Sequence, residues 1–248
     1  MVRTVLALGL GLLVAMAGAA GLPAASASHS DGSYDLPVWF TWGQTTLDVL
    51  IVPPAHGQIV NGNGALNGLD PFELTPLNSY LDATIDSVND WRRAIDQFGP
   101  AWLRTSLVIN VYVVGLDIVP TQALLDPEIV IISDEWKGPI LGVAWATNPC
   151  MVFNSKFFLT SFTYEDMYNI NGQEYGHCLG LEHVTGSHPV LDVMNGAYPH
   201  NPGAAGNPKH CMSNLDVKGL ERVFGGNFGY PSGGTATMPV SQYATIAC

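Results

Sequence analysis

The chain has 248 residues, with nine lysines and arginines against 21 aspartates and glutamates, a formal charge of −12. Hydrophobic residues make up 47% and charged residues 12%, against roughly 25% charged in an ordinary soluble domain, which excludes an intrinsically disordered chain. Nine thinly spread positive charges exclude nucleic-acid binding through a basic face, and the length supports one large domain with a real core.

In chain order, Arg3 precedes an apolar run from Val5 to Ala20, and Ala25-Ser26-Ala27 supplies the small residues of a cleavage site. Residues 1–27 therefore read as a signal peptide, and the mature chain is expected to be exported, starting at Ser28. No later stretch has the length and apolarity of a membrane span. Residues 28–36 read as a flexible segment. Val38–Trp42 and Leu47–Val52 read as strands, the second closed by Pro53-Pro54. Gln58–Asp70, rich in Asn and Gly, reads as a loop. Leu81, Ile85, Val88, Trp91 and Ile95 recur at helical steps, so a helix is expected over Leu77–Phe98, stopped by Gly99-Pro100. Four β-rich runs follow: Ser106–Val114, Glu128–Ser133, Leu141–Trp145 and Met151–Phe158. A second helix is expected over Tyr164–Leu179 with Thr163 as its N-cap, and a last one over Leu215–Phe224, capped by Asn214 and stopped by Gly225-Gly226. Residues 227–248 form a Gly-, Ser- and Thr-rich tail, expected to be mobile except at Cys248. The four cysteines, Cys150, Cys178, Cys211 and Cys248, imply two disulfides in an exported protein. Three pairings are possible, and a reactive Cys178 thiol is the weaker alternative.

The chemistry concentrates at Gln173-Glu174-Tyr175-Gly176-His177-Cys178-Leu179-Gly180-Leu181-Glu182-His183. Positions 173 and 177 are four apart, one above the other on a helix face, so both side chains can hold one metal ion. Glu174 beside them is placed to handle a proton. Gly180 permits a sharp exit from the helix, which lets His183 swing back to the same ion. Asp192-Val193-Met194-Asn195-Gly196 reads as a tight turn enclosing a methionine. In a chain of this composition, the Glu-x-x-His-x-x-Gly-x-x-His spacing arises by chance about once in two thousand chains.

These residues resemble the metzincin metallopeptidases, whose consensus is H-E-x-x-H-x-x-G-x-x-H followed by a methionine turn. Glu174, His177, Gly180, His183 and Met194 match, and Gln173 stands where the family has histidine. The likeness covers roughly residues 37–226 and is matrixin-like in element order. It implies an α/β (α+β, zincin-like) domain: a twisted mixed five-stranded sheet with two long helices, a loop-rich lower subdomain after His183 and a short C-terminal helix. It also implies a secreted, monomeric zinc endopeptidase acting on a polypeptide substrate. His177, His183 and Gln173 would hold Zn²⁺, and Glu174 would be the general base for a metal-activated water. The substrate would lie extended along an edge strand, for which Leu141–Trp145 is the candidate.

The departure at position 173 keeps alternatives open, because a carboxamide oxygen is a weaker zinc donor than imidazole. Three readings stay open: Gln173 ligates, His188 or Asp192 replaces it, or the protein is an inactive relative that binds instead of cutting. His188, His200 and His210 are further candidate ligands on spacing alone. Tyr198 is a candidate oxyanion donor, and Tyr175 and Leu179 are expected to pack against the sheet.

Overall fold

The runs densest in Val and Ile become the middle of a sheet, where both faces are covered and alternation is lost. The computed structural model describes residues 32–52, 59–60, 66–67, 75–114, 116–136, 141–155, 163–185, 192–196 and 207–248. These belong to one compact unit, Asp31–Cys248. The leader expected over residues 1–27 and its cleavage site lie outside them. So do His188, Tyr198 and His200.

The strands are β1 (Ser33–Pro37), β2 (Thr46–Val52), the short β3 (Ile59–Val60) and β4 (Leu66–Asn67), then β5 (Val108–Val113), β6 (Ile129–Trp136), β7 (Gly142–Trp145), β8 (Cys150–Ser155) and β9 (Thr235–Pro239). The helices are α1 (Thr75–Phe98), α2 (Ala101–Ser106), α3 (Thr121–Leu125), α4 (Tyr164–Cys178) and α5 (Asn214–Phe224). A five-stranded mixed sheet runs in the order β5-β2-β6-β8-β7. β2, β5, β6 and β8 pair in parallel and only β7 is antiparallel, against β8, which leaves β7 at one edge. Leu47, Val49, Ile51, Ile129, Ile131 and Val152 are wholly buried in the sheet's core.

α4 packs against β6, β7 and β8, and α1 packs on α4. The two helices meet where α4 carries glycines four residues apart. The Trp91 indole donates to the Gly172 carbonyl at 2.9 Å, and a Cβ at Gly176 would collide with Met194 and Trp91. Thr163 caps α4 through a capping box with Asp166. The end of α4 is then fixed to the sheet by the Cys150–Cys178 disulfide, while Cys211–Cys248 closes the C-terminus onto the segment before α5. The described residues contain no free cysteine, which excludes the reactive-thiol reading of Cys178.

Several expectations need correction. The segment read as flexible forms β1, which pairs antiparallel with β9 from the tail read as mobile, in the register Ser33↔Pro239 to Pro37↔Thr235. Tyr34 and Leu36 on one strand, and Ala236 and Met238 on the other, are buried in alternation. Val38–Trp42 is no strand: Val38 makes a single bridge to Leu181, and the Trp39 and Phe40 N–H groups both turn to the Gly180 carbonyl. The N-cap of α5 is Ser213, in a capping box with Asp216, instead of Asn214, whose side-chain amide donates to the Gln242 carbonyl. β3 and β4 pair within the segment read as a loop. No helix among the described residues is long and apolar enough to cross a membrane.

Candidate functional site

α4 packs its motif against the β7 edge, and between the buried stretches Asp166–Gly172 and Tyr175–Cys178 only positions 173 and 174 are partly open. Gln173 and Glu174 are half-buried there, whereas Tyr175, Gly176 and His177 are buried. Close approach to β7 requires Gly142, where a Cβ would lie 2.6 Å from Ile170 and 3.0 Å from Glu174. The Ala144 N–H faces the Glu174 carboxyl. Burial pushes that carboxyl up to about 8, with the Ala144 hydrogen bond pulling the other way.

Gly180 turns the chain out of α4 at φ +105°, a left-handed conformation that a side chain disfavours. A Cβ there would also meet the Phe40 carbonyl at 2.6 Å. The turn returns the Leu181 carbonyl to His177 Nδ1 at 2.8 Å. It also brings His183 back, with its Nε2 3.0 Å from His177 Nε2. Burial holds the His177 imidazole down, to about 4, with the Leu181 carbonyl opposing and His183 adding to the shift. His177 is therefore neutral at pH 7, its Nδ1–H on the Leu181 carbonyl and its Nε2 lone pair toward His183. The methionine turn lies below: Met194 is wholly buried, its carbonyl accepts from Val184 N at 2.9 Å, and a Cβ at Gly196 would lie 2.5 Å from the His183 ring.

Among the described residues, the other candidate ligands do not join the pair. The Gln173 amide donates to the Asn195 carbonyl at 3.3 Å. Asp192 is wholly buried, accepting from Met194 N and from the Tyr243 hydroxyl, each at 2.8 Å. His210 is buried against the Asp192 main chain, and burial lowers its imidazole to about 4. Tyr175 and Leu179 are wholly buried, as expected.

No group of three or more His, Cys, Asp and Glu side chains among the described residues can hold a metal ion. That finding overturns the zinc-endopeptidase expectation. A catalytic zinc takes three protein ligands and keeps a fourth position for water, and among the described residues two imidazoles converge without a third strong ligand. The physical reason is position 173, where a carboxamide held by the Asn195 carbonyl replaces an imidazole.

Sequence reasoning missed the aromatic surroundings of the pair. Trp39 stands edge-on to the His177 ring at 6.1 Å between centroids, and the Trp42 indole donates to the Cys178 carbonyl at the end of α4 at 3.2 Å. The density of aromatics in Trp39-Phe40-Thr41-Trp42 was the available signal, but it reads equally well as a strand.

No family model matches the chain, and no curated protein matches it. Among solved structures, a chain from the GM1-bound form of the ECX AB5 holotoxin aligns over 82% of this chain and 84% of its own length. The identity is 10% and the TM-score 0.36, too low to argue from.

Proposed function

We propose that the chain is an exported polypeptide-binding protein on a metzincin-like scaffold, which captures an extended segment along β7 instead of hydrolysing it. The observation that carries the reading is the outward-facing edge of β7. The Ala144 N–H leaves the sheet toward Glu174, and the alternation of an antiparallel ladder gives Gly142 the same outward orientation. Such an edge pairs readily with another extended chain, main-chain hydrogen bonds supplying affinity and neighbouring side chains specificity. Glu174 stands against that edge at Gly142, the His177–His183 pair follows about one turn on, and no three-ligand metal group accompanies them among the described residues. The two disulfides, Cys150–Cys178 and Cys211–Cys248, support an oxidising destination.

Ala144→Pro tests the proposal. Proline is tolerated on an edge strand whose N–H faces outward, yet it removes that donor and blocks strand addition. Wild type, selected against a displayed library of random peptides, should capture peptides that Ala144→Pro loses by tenfold or more, with both proteins melting cooperatively. Equal capture by the two proteins, or no capture by wild type, would refute strand addition at β7.

A further inference from the structure

Just beyond the C-terminal end of β7 lies a cavity of about 380 Å³, between the Trp39–Gln44 segment and the Ala146–Asn148 turn. Its size lies at the small end of ligand pockets and is ample for one large side chain. Trp39, Phe40 and Trp42 line one part of it, and Asp126 and Glu128 another. Among the described residues, no lysine, arginine or histidine lines it. Glu128 is locked in place, accepting from Gln44 Nε2 and from Asp48 N, each at 2.6 Å. Both donors are neutral, so they orient the carboxylate without cancelling its charge. Asp126 is exposed at the end of α3. Trp39 is 42% exposed and also stands edge-on to His177, so the residue that lines the cavity touches the imidazole pair as well.

We infer that this cavity receives a cationic side chain, arginine foremost, of the polypeptide paired with β7, an inference that rests on the strand-addition reading. A guanidinium stacks on indole faces through its plane and donates in its plane to carboxylates, so one group answers both chemistries of the cavity. A carboxylate ligand would meet Asp126 and Glu128 with like charge. A purely apolar side chain would cover the two carboxylates and bring no positive charge to offset theirs. The chain's charge of −12 draws basic segments toward it over longer distances.

The test titrates N-acetyl-arginine amide into the disulfide-intact protein and follows the Trp39 indole N–H signal, assigned through Trp39→Phe. N-acetyl-alanine amide, N-acetyl-glutamate amide and a neutral disaccharide serve as the other probes. The arginine probe should shift the signal saturably and the others should not. Asp126→Asn, at an exposed position, should weaken binding about three- to tenfold, and Asp126→Lys should abolish it. The arginine probe binding while no peptide is captured at β7 would uphold the cavity assignment and defeat strand addition. Failure of the arginine probe to shift Trp39, equal shifts with alanine, or saturation by the disaccharide alone would overturn the assignment, even if peptides are captured.

Discussion

Gln173 sets the character of the groove, because its amide is held by Asn195 at the distance of a weak hydrogen bond while two imidazoles converge one turn away. Restoring imidazole there should supply the missing strong ligand. Gln173→His is expected to bind zinc about tenfold more tightly than wild type, the scale by which even outer-shell changes move zinc sites. Competition against a fluorescent chelator measures this. Equal affinities would mean that position 173 does not reach the imidazole pair. The pair itself was legible in the sequence: helical spacing and a glycine able to take φ +105° suffice to bring His183 back to His177. The Leu181 carbonyl on His177, and the need for glycine at 142 and 196, were not legible. Each depends on a backbone or ring brought close by tertiary packing, and local periodicity carries no record of it.

Elements with strong internal periodicity followed the expectation closely, as α1 and the sheet strands do, whereas those that depend on a distant partner did not. β1 and β9 are each five residues long and lie some two hundred positions apart. Neither would be stable alone, and Gly and Ser around them mimic a loop. The α5 cap was misplaced by one residue because both Ser213 and Asn214 are good caps. Asp216 decides between them, since only Ser213 stands three residues before it and completes a capping box. The cysteine pairing required the fold, as four cysteines allow three arrangements. The Cys211–Cys248 bridge, 37 residues apart in sequence, secures a terminal segment in which Ile246 is buried. Replacing both cysteines by alanine should cost about 3 kcal/mol and lower Tm by roughly 6–12 °C in calorimetry. An unchanged Tm would show that β1–β9 pairing and Ile246 burial hold the tail without the bridge.

At the scale of the molecule, an acidic chain with two disulfides places β7 at a sheet edge against Glu174, with a cavity of aromatic and carboxyl groups just past its end. α4 stands behind that edge, anchored at its start by a capping box and at its end by Cys150–Cys178, so the edge is backed by a fixed element. Rigid presentation lowers the ordering cost of capturing an extended chain. Hydrogen exchange followed by mass spectrometry, on the protein with a captured peptide, tests the central claim most directly. The account predicts slowed exchange at Gly142–Trp145 with the peptide recovered at its full mass. Unchanged exchange across β7, or a peptide recovered as two fragments, would contradict it.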